Sequence, residues 1–189
     1  RLPRRQDLRD LRDARRMRAA LAHRSVVGCG NHGRAATRSL HEVLGLAPEL
    51  CVPWEWSPLP IPERRRVLRR DRAPVIVFAG RHVAAKGVLD LVAALGHLAR
   101  RGVAARLVVA GDGPDRAAVA DLVAREGLGD RVELPGMVAK DRVRDLMREA
   151  DILAAPSWRA YAEGLPNTLV EGLAFGKPVL LTDHPATAD

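Results

Sequence analysis

The chain has 189 residues, 47% of them apolar, and a formal net charge of +8. That length corresponds to about one domain or slightly more, and it can bury a core without staples. Two cysteines, Cys29 and Cys51, exclude a disulfide framework and a Cys-rich zinc module, and no apolar run approaches the ~18 residues of a membrane span.

The charge is lopsided. Residues 1–72 carry 17 Arg against 8 acidic residues, whereas residues 73–189 carry 14 basic and 15 acidic residues. Six aromatics and no recognised motif speak against a nucleic-acid partner, which calls for a basic stripe with stacking platforms. Residues 1–24 lack the apolar core of a signal peptide, so the expected location is cytoplasmic. Residue 1 is Arg rather than Met, and a preceding segment, targeting or otherwise, is expected to be missing.

In chain order, residues 7–23 predict a helix, with Leu8, Leu11, Ala14, Met17 and Leu21 at three- and four-residue spacing. A solvated surface helix is the favoured reading, because the apolar stripe is thin and carries no aromatic. A peripheral membrane contact through the basic segment 1–24 is the other. Ser25–Val27 predicts a short strand, and Arg34–Leu44 a helix closed by Gly45. Residues 51–62 hold four prolines and two tryptophans, and Glu63–Arg72 is a basic run. This divides the chain into 1–50, a linker at 51–72, and a domain at 73–189.

After Arg72 the pattern becomes regular. Pro74–Ala79 is a continuous apolar run, as in a strand buried on both faces. A helix follows at about Lys86–Arg101, then strand Arg106–Ala110, helix Asp115–Arg125, strand Arg131–Leu134, helix Lys140–Glu149, strand Ile152–Ala155, helix Pro166–Phe175 and strand Pro178–Thr182. Such alternation means βαβ units, a parallel sheet and helices on both faces, a Rossmann-like α/β fold. Ligands in such sheets bind beyond the carboxyl ends of the strands. The loops beginning at Gly80, Gly111, Pro135, Pro156 and Asp183 are therefore the candidate site.

Three stretches carry chemistry. In Gly80–Gly87, Gly80 turns the chain off its strand, and Arg81 and Lys86 flank a helix start whose free N–H groups favour an anion. Two cations beside that dipole suit a diphosphate, Arg as a planar fork and Lys as a point charge. Gly111-Asp112-Gly113-Pro114 is a tight turn into a helix, with a lesser role in bringing backbone near a ligand. In the stretch 156–172, Glu163 and Glu171 stand eight residues apart around a helix opened by Pro166. Both face one crevice if the helix extends back. A carboxylate accepts two hydroxyl hydrogen bonds at once, which suits a vicinal diol, and the Gly164–Asn167 amides add anion donors. A competing pattern is Gly28-Cys29-Gly30-Asn31-His32-Gly33, a literal G-x-G-x-x-G of the dinucleotide type. No full βαβ unit follows it, and the acidic residue expected ~20 positions on is not clearly placed at a strand end.

From Val75 to Asp183 the chain resembles the glycosyl transferase group 1 family, the retaining nucleotide-sugar transferases of GT-B fold. The resemblance lies in Phe78-Ala79-Gly80-Arg81 with Lys86-Gly87, in Val109–Pro114, Leu134-Pro135-Gly136, Ala150-Asp151-Ile152 and Pro156-Ser157, in Glu163-Gly164-Leu165-Pro166 with Glu171, and in Gly176-Lys177-Pro178-Val179. Val26–Gly33 is also similar to the last strand and helix of the family's N-terminal domain. The resemblance implies a tail of the acceptor domain, the linker and most of a donor domain. It implies that Arg81 and Lys86 hold the donor diphosphate, that Glu163 contacts the donor sugar, that Glu171 contacts the ribose, and that Gly80 and Gly164-Leu165-Pro166-Asn167 line the donor site. It implies no cofactor and no metal, and a glycan, lipid or small-molecule acceptor. Three departures stand out. Residues 51–62 lack the family's usual linker, Arg159–Ala162 lengthen the loop before Glu163, and Thr182–Ala186 lacks the glycine usual after that strand. The alternatives are an NAD(P)-dependent oxidoreductase using Gly28, Gly30 and Gly33, and a nucleotide-binding module without catalysis.

Overall fold

The computed structural model describes residues 5–31, 34–53, 71–161 and 166–184. The chain divides into two compact units, Arg1–Ser57 with Asp189, and Pro58–Ala188.

The first unit contains α1 (Arg5–Leu21), β1 (Cys29–Asn31), α2 (Arg34–Glu42) and β2 (Cys51–Pro53). β1 and β2 pair in parallel, with Cys29 opposite Cys51. The strand expected at Ser25–Val27 therefore falls further along the chain. Val27 is 89% exposed, and the ladder starts where β2 supplies a partner. Gly28 precedes this strand and Gly30 lies inside it, so these glycines do not form a strand-to-helix loop. Gly33 lies outside the described residues. On α1, Arg12–Ala20 is exposed except for half-buried Ala14, and Met17 faces solvent rather than a core. No described helix is long and apolar enough to cross a membrane.

The second unit contains β3 (Val75–Ala79), α3 (Val88–Arg100), β4 (Arg106–Ala110), α4 (Arg116–Arg125), β5 (Val132–Gly136), α5 (Lys140–Glu149), β6 (Ile152–Ala155), α6 (Asn167–Ala174) and β7 (Val179–Leu181). The strands form one sheet in the order β5-β4-β3-β6-β7, every neighbouring pair parallel. Chain direction across the sheet reverses between β3 and β6, the switch point at which such sheets open a crevice.

Side chains alternate across the pleat and supply two cores. Phe78, Leu107 and Val109 join Val88, Leu91, Val92 and Leu95 of α3 and Val119 and Val123 of α4. Val77, Val108, Ala110 and Leu153 join Leu146 and Met147 of α5 on the opposite face. α6 lies on that second face as well, since a Cβ at Gly172 would come within 3.0 Å of both Val179 and Leu153. Val77 and Phe78 are both buried, which explains why β3 reads as an unbroken apolar run. Lys177 is buried too, and its ammonium donates to the Arg148 and Ala150 carbonyls at 2.7 and 2.6 Å, capping the end of α5.

Two glycines set the loops at the carboxyl edge. Gly87 has φ of +72°, and a Cβ there would lie 2.0 Å from the Pro156 carbonyl oxygen, so the β3 and β6 connections touch backbone to backbone. Gly111 has φ of +129°, and a Cβ there would lie 1.9 Å from the Gly80 carbonyl oxygen. Gly111→Ala is expected to cost about 1–3 kcal/mol through backbone strain and to part the two loops. A lowered urea midpoint with the slope unchanged is the measurement; an unshifted midpoint contradicts the packing.

Candidate functional site

A cavity of about 750 Å³ opens at the carboxyl ends of β3, β4 and β5, within the range of small-molecule and nucleotide sites. Its wall runs through Gly80 and Arg81 after β3, through Gly111, Asp112 and Gly113 after β4, and through Met137 and Val138 after β5. Val143 and Met147 of α5 and Asn167, Thr168 and Glu171 of α6 complete it. A smaller recess adjoins it, sharing Ala79, Gly80 and Thr168 and adding Lys86, Ser157 and Pro166.

Backbone contacts hold these loops in place. The Gly80 N–H donates to the Ala110 carbonyl at 3.0 Å, the Gly111 N–H to the Gly136 carbonyl at 2.8 Å, and the His82 N–H to the Asp112 carbonyl at 2.9 Å. The Asp115 carboxylate accepts the Ala84 N–H at 2.5 Å. A Cβ at Gly113 would lie 2.4 Å from the His82 carbonyl oxygen. The glycines of Gly111–Pro114 thus serve the close approach of two backbones and bring that loop onto the cavity wall. Pro114 stands ahead of α4, which starts at Arg116.

Of the residues singled out in the sequence, Gly80, Arg81, Asn167 and Glu171 line the large cavity, and Lys86 and Pro166 line the adjoining recess. Glu163, Gly164 and Leu165 lie outside the described residues. Lys86 does not open α3 as expected. It ends a short 3-10 turn, Ala84–Lys86, and α3 begins at Val88, because left-handed Gly87 separates the two. Likewise α6 begins at Asn167, one residue after the Pro166 expected to open it. Arg81 is exposed, Lys86 and Glu171 are half-buried, and the first turn of α6 presents backbone N–H groups beside Glu171.

Several wall residues escaped the sequence reading. Thr168 is buried and its hydroxyl donates to the Ala79 carbonyl at 3.3 Å, tying α6 to the end of β3. Met137 is 77% exposed at the rim, and Val138, Val143 and Met147 give this side an apolar surface. The sequence signal for Met137 and Val138 was their place in the loop that begins at Pro135, past the β5 end. Asp112 accepts the Gly113 N–H at 2.7 Å and pairs with Arg116 at 3.2 Å, so its carboxylate is already engaged.

His82 sits behind this wall. It is 1% exposed, and neither ring nitrogen meets a hydrogen-bond partner among the described residues. Burial lowers its pKa below the ordinary 6.5; Asp112 opposes the shift and Arg116 adds to it. The folded chain therefore binds a proton at His82 less readily than the unfolded chain, which takes one up as pH falls below 6.5. Stability is full above that pH and is lost as pH falls toward the lowered folded value. Urea unfolding between about pH 7.5 and about pH 5 is expected to show this loss, and His82→Leu to flatten it. An unchanged slope in that variant contradicts the assignment.

No curated protein matches the sequence. HepE from Anabaena, solved in complex with UDP, superposes with a TM-score of 0.73 at 20% identity, over 93% of this chain and 50% of HepE. A glycosyltransferase from Rickettsia africae gives 0.69 at 18% identity, over 92% of this chain and 49% of that one. WaaG, a glycosyltransferase involved in lipopolysaccharide biosynthesis, gives 0.63 at 20% identity, over 84% of this chain and 45% of WaaG. At such identities the likeness shows the fold, and the chain spans about half the length of these structures. The fold is thus the α/β type of the GT-B glycosyltransferases, a parallel sheet with helices on both faces. The sequence profile described as glycosyl transferases group 1 matches residues 73–189. That match runs through the whole five-stranded unit rather than through a single motif, and the chain belongs to the glycosyl transferases group 1 family.

Proposed function

We propose that this chain binds the donor of a retaining glycosyltransferase, a nucleotide-diphosphate sugar, in the cavity at the ends of β3, β4 and β5. The observation that carries this reading is the convergence of Arg81, Glu171 and the N-terminus of α6 on one cavity of about 750 Å³. A cation and a helix N-terminus suit a diphosphate, and a carboxylate suits the ribose diol. Related structures support the same class of ligand: Anabaena HepE was solved with UDP and with UDP-glucose.

In this reading Arg81 and Lys86 balance the charge that grows on the diphosphate as the glycosidic bond breaks, and the α6 amides add donors to it. Fixed cations and aligned N–H groups do the work a metal ion would otherwise do. Glu171 accepts the ribose hydroxyls, and Glu163 contacts the donor sugar. Transfer with retention proceeds without an assigned protein nucleophile. The acceptor is a glycan, a lipid or a small molecule. The chain by itself binds the donor nucleotide and transfers no sugar. Its work is cytoplasmic, where nucleotide sugars are the donors.

The dinucleotide alternative loses its footing, because Gly28 and Gly30 flank and enter β1 instead of following it. Calorimetric titration with UDP, GDP, ADP and NAD tests the reading. One nucleoside diphosphate is expected to bind and NAD is not. NAD binding without any nucleoside diphosphate binding contradicts it.

A further inference from the structure

The loop after β6 is fastened on two sides. Toward α3, the Trp158 N–H donates to the Ala85 carbonyl at 2.8 Å and its indole N–H to the Asp90 carboxylate at 2.5 Å. Toward the end of β7, Arg159 pairs with Asp183 at 2.6 Å, Thr182 Oγ1 donates to the Ser157 carbonyl, and His184 Nε2 donates to the Tyr161 carbonyl at 2.8 Å. The Arg159–Asp183 pair is exposed and contributes little. His184 is buried, so its hydrogen bond is the firmer hold. Two departures noted separately in the sequence, the lengthened loop at Arg159–Ala162 and the Asp183-His184 stretch without a glycine, thus meet each other. Their product is a fixed Tyr161, half-buried, with the Lys86 ammonium 5.3 Å from its ring centroid. That is within cation–π range.

We propose that Tyr161 is a positioning residue for Lys86, its ring face holding the ammonium at the recess beside Gly80, Pro166 and Thr168. A lysine stem has four rotatable bonds, and an ordered ammonium meets an anion at a smaller entropic cost than a free one. The proposal rests on the diphosphate reading for its consequence, but not for the contact itself.

The test is a double-mutant cycle on this chain with UDP as the titrant. Tyr161→Phe keeps the ring face, and its affinity is expected to match the parent. Tyr161→Leu is expected to weaken UDP about 3- to 10-fold. That loss should vanish in the Lys86→Ala background and should be absent with uridine, which has no phosphates. Additive losses in the double variant, or an equal loss with uridine, overturn the proposal. A second readout needs no nucleotide. The chain has three lysines, Lys86, Lys140 and Lys177, so their signals after reductive methylation with labelled formaldehyde are separable. The Lys86 resonance is expected to show a ring-current shift in the parent and in Tyr161→Phe, and to lose it in Tyr161→Leu. An unshifted Lys86 signal in the parent overturns the proposal whatever UDP does. A shifted signal in a chain that binds no nucleoside diphosphate upholds the contact and overturns the functional reading instead.

Discussion

Arg81→Ala is expected to lower kcat/KM for sugar transfer about 10²–10³-fold, the scale of one lost contact to a developing anion. Arg81 lies on the wall where the β3 and β4 loops close on each other, so its backbone is anchored while its guanidinium stays exposed. The diphosphate gains charge as the glycosidic bond breaks, so the loss in the transition state should exceed the loss in ground-state binding. Lys86→Ala should fall in the same range. Lys86 sits in the adjoining recess. Parental activity in either variant makes that cation a bystander.

Glu171→Gln is expected to weaken a free nucleoside diphosphate and the nucleotide sugar alike, about 10–150-fold, as loss of a hydrogen bond to a charged group implies. Gln keeps one acceptor oxygen but not a bidentate pair, and its NH₂ opposes hydroxyl hydrogens. The contrast lies in Glu163→Gln, which should spare the free nucleoside diphosphate and cut sugar transfer. Equal loss of nucleotide affinity in both variants removes the division of labour between them. Unchanged binding and transfer in both turns the carboxylates into surface residues.

The five-stranded unit was legible because its signals are local. Pro74–Ala79 and Arg106–Ala110 are short apolar runs that fit central strands, and each is followed by a helix. The strand-end rule then led to Gly80, Arg81, Asn167 and Glu171, which the fold gathers on one cavity. Where pairing decides, the sequence was silent. Nothing local moves a strand from Ser25–Val27 to Cys29–Asn31; only the partner strand at Cys51–Pro53 does. Helix starts were misjudged for a similar reason. Gly87 takes its left-handed turn against Pro156, some seventy residues on, and this delays α3 to Val88. The burial of His82 and the seat of Lys86 over Tyr161 depend on contacts across loops, and composition carries no trace of either.

The most direct test of the central claim is a crystal structure of this chain with a nucleoside diphosphate that it binds. The account places the nucleotide in the cavity between the Gly80 and Gly111 loops, with its ribose hydroxyls on the Glu171 carboxylate and its diphosphate within reach of Arg81 and the first turn of α6. Nucleotide bound instead at residues 28–33, or in the cavity with Glu171 and Arg81 both untouched, contradicts it.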